Sequence, residues 1–151
     1  MKEQIVGMLI TVLSGVAVYV ISQWYTEFVI RPIQEYKNLK AKVAKLLILY
    51  AHYYSNPQTC ESAENYPRWE AAAADLRELA SEVAAFAEVK PFHLFVFFAI
   101  PTKKQLLNAT SNLIGLSNSF FITKHAEERH YHHIEQCRTS VKKNMRINKS
   151  K

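Results

Sequence analysis

The sequence predicts an all-α protein in which one N-terminal transmembrane helix is followed by a cytosolic helical bundle. Three observations predict it. Residues 4 to 26 carry no charge over 23 positions, and at about 1.5 Å per residue a helix of that length crosses the roughly 30 Å of a bilayer's hydrocarbon. Beyond residue 30, apolar side chains recur at three- and four-residue steps, the period of helices with one buried face. Three Gly and five Pro in 151 residues are too few turn formers for a β protein. The expected division is a span over 1–30, a bundle over 31–137 and a basic flexible tail over 138–151.

The span comes first. Trp24, Tyr25 and Phe28 stand where an interfacial aromatic belt belongs, and Glu27 and Arg31 close the apolar run. A cleaved secretory signal fits less well, because Glu3 cancels Lys2 and no small-residue cleavage pattern follows. A buried soluble helix would need a larger body around it than residues 31–151 supply. The N-terminal flank has only Lys2, whereas Arg31, Lys37, Lys40, Lys42 and Lys45 follow the span. The positive-inside rule therefore puts the N-terminus outside and the body in the cytosol.

Within the span Gly7, Thr11, Ser14, Gly15 and Ser22 recur at helical steps, with Tyr19 on the same side. Small residues let helices approach closely in lipid, so the face suits self-association. Several copies turning it toward an axis would line a narrow pore, which a single span cannot enclose alone.

The first body helix follows Pro32. Tyr36, Leu39, Val43, Leu46, Leu47, Tyr50 and Tyr54 share its apolar side, and Arg31-Pro32 marks either a helix boundary or a kink in one continuous helix. Residues 55–67 read as a loop. A second helix from about Arg68 to Val89 carries Trp69, Ala72, Ala73, Leu76, Leu79, Val83 and Phe86 on one stripe and acids outside. Residues 46–89 hold two basic and seven acidic side chains, so this helix should pack antiparallel on the Lys-rich first one.

Residues 91–101, with four Phe, are too short to span and fit either core or a patch against a membrane or neighbouring subunit. Thr102 and Gln105 form a capping box that opens a third helix, with Leu106, Leu107, Thr110, Leu113, Ile114, Ser117, Phe120 and Phe121 inward. Asn108, Ser111, Asn112, Gly115, Asn118 and Ser119 make an uncharged polar stripe on its other side. The final stretch gathers His125, His130, His132 and His133. His130, His133 and Cys137 would share a helical face, but a second closely spaced ligand pair is lacking and no metal site is expected. Cys60 and Cys137 should stay reduced in the cytosol.

The net charge is +6, and beyond residue 30 eighteen basic side chains face eleven acidic ones. Part of that excess suits an anionic leaflet. No Gly-rich phosphate loop and no nucleophile with a base appears, so neither a cofactor nor a catalytic function is expected. Two classes remain: a homo-oligomeric membrane effector gated by its bundle, or a membrane-held helical adaptor without permeation. For the effector, Lys103 and Lys104 at a helix start, Lys90, Lys124, Asn108 and Asn112 supply charge and amides for an anionic ligand. Tyr50, Tyr53, Tyr54 and Trp69 supply stacking, so a nucleotide or single-stranded DNA is the expected ligand.

Two stretches carry a family resemblance: Arg31-Pro32-Ile33-Gln34-Glu35-Tyr36 after the single span, and Leu113-Ile114-Gly115-Leu116-Ser117-Asn118. With this architecture the chain resembles the small single-span bacterial membrane effectors of anti-phage defence, those of the Hailong type in particular. The resemblance implies a tetrameric ion channel in the inner (plasma) membrane, with its cytosolic body held by a DNA oligomer. It transfers no ligand residues.

Overall fold

A computed structural model describes residues 2–55, 66–89, 99–121 and 127–147. They form helices, with no strand among the described residues. In chain order these are α1 (Lys2–Tyr25), a π segment (Thr26–Ile30), α2 (Arg31–Leu49), α3 (Ala51–Ser55), α4 (Tyr66–Val89), α5 (Lys103–Asn118), a 3-10 turn (Ser119–Phe121) and α6 (Glu127–Asn144).

The stem is one uninterrupted helix from Glu3 to Leu49, and its apolar window is long enough to cross a membrane and touches nothing else in the chain. Pro32 does not break it. Proline offers no N–H to the carbonyl four residues back and crowds that carbonyl. The helix answers by widening: the Arg31 N–H donates to the Thr26 carbonyl, five residues away rather than four. Gln23, Glu27 and Arg31 line the outside of this turn, with Arg31 2.7 Å from Glu27.

The bundle is a four-helix ring in which neighbours run antiparallel. Lys42 meets Glu82 at 2.7 Å and Tyr50 meets Asp75, which sets α4 against α2 in opposite direction. Lys103 on Glu88 and Arg77 on Asn118 do the same for α4 and α5. Tyr36 donates to the Met145 carbonyl at 2.5 Å, and α3 touches α6 at the other end, closing α6 onto the first helix. This is the up-down-up-down arrangement that short connections favour. The acidic second helix thus packs on the Lys-rich first as its charge predicts.

One apolar core runs through the ring from Tyr36 and Val43 to Leu76, Val83, Leu106, Leu113, Val141 and Met145. Its outer end is closed by aromatic rings. Tyr53 lies edge-on to Trp69 with centroids 4.9 Å apart, and Phe120 contacts Tyr53, Tyr54 and Trp69. Burial pushes the Tyr36 hydroxyl up to about 12 against the partial pull of Arg146, and the Tyr50 hydroxyl up to about 12 with help from its bond to Asp75.

Three expectations need correction. The chain from 138 on is not a free tail: α6 continues to Asn144, and Val141 and Met145 are fully buried, because those two apolar residues complete the stripe begun by Ile134 and Cys137. The inward face of α5 is rotated from the expected one. Ala109 and Leu116 are buried while Leu107 is 37% and Ile114 40% exposed, so α5 uses small Ala109 to lie close to its neighbours. Gly115 and Ser119 also leave the polar stripe. A Cβ on Gly115 would sit 3.2 Å from Cys137 Sγ, so glycine is what lets α5 and α6 approach there. Ser119 is buried with its hydroxyl on the Leu116 carbonyl. The run of four Phe and most of the 55–67 loop lie outside the described residues.

Candidate functional site

The stem stripe is where the sequence placed it. Gly7, Thr11, Ser14, Gly15 and Ser22 fall within about 100° of arc on α1, with Tyr19 at its edge and Val18 among them. Neither Gly7 nor Gly15 has positive φ, and a Cβ at either would meet nothing within 4 Å. Nothing among the described residues requires glycine at these two positions, and glycine costs about 1 kcal/mol against alanine in a helix. Two stripe hydroxyls spend their protons on their own helix, Thr11 on the Gly7 carbonyl at 3.0 Å and Ser14 on the Thr11 carbonyl at 2.8 Å, and beyond them Thr26 donates to the Ser22 carbonyl at 2.9 Å. That satisfies the donors in lipid and leaves oxygen lone pairs outward.

The π segment decides where this stripe leads. In an unbroken α helix the three- and four-residue steps would carry it onto Pro32, Tyr36, Val43 and Leu47, the face that the bundle buries. The extra residue shifts the register by one, about 100°. The stripe now runs on to Lys37, Ala41, Ala44 and Ile48, of which Ile48 is 77% exposed. The bundle hangs to one side of the stripe rather than over it. Only the Arg31-Pro32 break hinted at this in the sequence, because a π turn has no compositional mark of its own.

The cytosolic candidates do not converge. Lys103 is held by Glu88 at 2.5 Å, while exposed Lys104 has no ion pair. Asn112 turns its amide onto the Asn108 carbonyl at 2.6 Å, so it is already satisfied by its own helix. Lys90 and Lys124 lie outside the described residues. The expected stacking partners are elsewhere, at the end of the bundle away from Lys103: Trp69 is 3% and Tyr54 1% exposed within the core, and Tyr50 and Tyr53 are half-buried against it. The fifteen residues from Lys103 to Asn118 put about 22 Å between the two groups. Among the described residues, a single pocket combining those lysines and rings is not formed.

A shallow groove of about 250 Å³ does lie between α2 and α4, lined by Lys42, Lys45, Leu46, Asp75, Glu78, Leu79 and Glu82. Of its charges, Lys42 and Glu82 pair across the helix contact. Cys137 is buried, with Sγ 3.6 Å from His133 Nε2, and burial pushes its thiol pKa up, away from the reactive thiolate. No group of three metal-ligating side chains occurs among the described residues. The side chain of His130, His125 and Cys60 lie outside them.

No family model, curated protein or solved structure matches the chain. Function must therefore be argued from the stem and the bundle themselves.

Proposed function

We propose that the chain is a homo-oligomeric membrane effector in which several stems pack by the Gly7–Ser22 stripe, with the body on the cytosolic side of the plasma membrane, and enclose an ion-conducting pore. The observation that carries the reading is the unblocked stripe: two glycines with no neighbour inside the chain, continued past the membrane by an exposed face. Thr11 and Ser14 then present hydroxyl oxygens to the axis with their donor protons turned back onto the helix, which suits cations better than anions. The bundle is the gate, and an anionic ligand such as a nucleotide or DNA oligomer acts on it. Four subunits, and a place in anti-phage defence, follow from the Hailong-type resemblance.

The second reading is a membrane-held adaptor without permeation. The back-bonded hydroxyls favour it, since a packing face needs no free donors, and so does the scatter of the cytosolic candidates.

Induction of the chain in bacteria with a voltage-sensitive dye separates the two. The effector reading expects depolarisation that is lost in a chain lacking residues 1–26 and in Gly15→Leu, with oligomers of the parent trapped by cross-linking in membranes. Cross-linked oligomers at an unchanged potential, with the same result when nucleotides or DNA oligomers are supplied to spheroplasts, would leave the adaptor.

A further inference from the structure

The antiparallel ring brings four helix ends to the side of the bundle nearest the stem. Tyr36, five residues past Arg31, fixes the level: its hydroxyl bonds the Met145 carbonyl at the end of α6, and its ring stacks on Phe86 near the end of α4 with centroids 6.3 Å apart. Glu88, one half turn beyond Phe86, holds Lys103 at the start of α5 at 2.5 Å. The whole layer lies about 8 Å along the helix from Arg31, close to where headgroups end if the span ends at its aromatic belt.

Cations collect at this level from three separate stretches of sequence. Lys37 and Lys40 of α2, Lys104 of α5, and Lys142 and Lys143 of α6 make no ion pair among the described residues, although each is at least partly accessible. The acids near them are few: Glu27 is engaged by Arg31 and Glu88 by Lys103, which leaves exposed Glu35 of α2 against five lysines. Farther along α4 toward the opposite end of the ring the exposed charges show no basic excess, with Arg68 and Arg77 against Glu70, Asp75 and Glu78. The positive field is therefore directed along the axis of the molecule toward the stem.

We infer that this end of the bundle is a docking surface for the anionic lipid leaflet, with Lys104, Lys142 and Lys143 contacting headgroup phosphates beside those met by Lys37 and Lys40. The inference rests on the reading of the stem as a span, and not on conduction or oligomer formation. It gives Lys104 a different anion from the soluble nucleotide expected of it, while Lys103 stays on Glu88. A juxtamembrane cation gains about 1 kcal/mol from an anionic surface, and a Debye length of roughly 8 Å at physiological salt keeps this layer within the leaflet's field. Several such contacts hold the bundle end-on to the membrane rather than swinging on its stem.

The test uses the full chain in vesicles of phosphatidylcholine alone and of phosphatidylcholine with phosphatidylglycerol. A membrane-impermeant amine reagent labels lysines, and mass spectrometry reads each site. Labelling of Lys104, Lys142 and Lys143 should fall roughly fivefold in the anionic vesicles, the change that one lysine's attraction to the leaflet corresponds to, and return at high salt. Lys45, on the side of the bundle, should label alike in both. In Lys104→Glu with Lys143→Glu, both exposed substitutions, the protection of Lys142 should be lost. Equal labelling in the two lipids, or an equal fall at Lys45, overturns the inference while the span stands. Protection by soluble nucleotide or inorganic phosphate in neutral vesicles assigns the cations to a free anion and overturns it too. Release of the chain from vesicles by alkaline carbonate refutes the span and the inference together.

Discussion

The stem and the bundle are both helical, yet they place their apolar side chains in opposite ways. From Ile5 to Tyr25 the large apolar side chains are exposed, and no residue of the apolar window is buried. In the bundle, Val43, Leu76, Leu106, Leu113 and Val141 are sealed completely. A single continuous helix passes from one regime to the other within the five residues of the π segment. What changes there is the surroundings the sequence is built for: hydrocarbon around the whole circumference before it, one buried face and one wet face after it. The small side chains follow the same division. Gly115 is small because Cys137 is against it, whereas Gly7 and Gly15 are small with nothing against them inside the chain.

Removing the extra residue breaks the comparison at its joint. Deletion of Phe28 should restore α-helical register, turn the bundle by about 100° and bring it over the stem stripe. We expect the cross-linked oligomer to disappear while bundle stability and membrane insertion persist. An unchanged cross-linking pattern would mean that stem packing does not depend on where the bundle hangs.

Trp69→Ala should act on the bundle alone. The ring is buried between Tyr53 and Phe120, and loss of such a side chain costs about 3–5 kcal/mol. Thermal unfolding followed by near-ultraviolet circular dichroism should show the loss, with the stem still in the membrane fraction.

Tyr36→Phe is a smaller lesion with a signature in pH. It leaves the buried Met145 carbonyl without its donor, which costs about 1–3 kcal/mol at neutral pH. The folded protein holds the Tyr36 proton up to about 12 against an ordinary value of 10.0, so it binds protons more tightly than the unfolded chain. That contribution is complete below pH 10 and is lost as pH rises from 10 toward 12. Tyr50 adds a loss in the same window. Denaturant titrations across it should decline less steeply for the variant than for the parent. Parallel curves would remove Tyr36 as a titrating group.

Periodicity and charge made the stem, the bundle stripes, the Thr102 capping box and the antiparallel first pair legible. The Thr102 hydroxyl and the Gln105 side chain do bond reciprocally. The face of α5 was not legible, because Leu106-Leu107 and Leu113-Ile114 are adjacent apolar pairs and spacing alone does not choose between their members. Nor was the burial of Val141 and Met145, two apolar residues hidden among six bases. The candidate ligand site failed for another reason. Sequence neighbours such as Lys104 and Asn112 are two turns apart on a helix, and topology sent the aromatic partners to the far end.

The contact between α2 and α4 gives the finest comparison, because it looks the most electrostatic and should matter least to stability. Lys42 and Glu82 meet at 2.7 Å, but their side chains keep 57% and 36% of their exposure. Water already solvates both ions, so Coulomb attraction gained on pairing is offset by desolvation and lost side-chain freedom, leaving about 0–1 kcal/mol. Beside it Leu47, Leu76, Leu79 and Val83 are buried from water, and those contacts carry the helix pairing. Glu82→Gln should therefore shift the bundle's unfolding free energy by less than about 1 kcal/mol, with the difference shrinking further in high salt. Reversal of both charges, Lys42→Glu with Glu82→Lys, should restore the parental value. A loss of several kcal/mol in the single variant would instead place the pair in a far drier setting and make charge, rather than apolar burial, the force that holds α4 on α2.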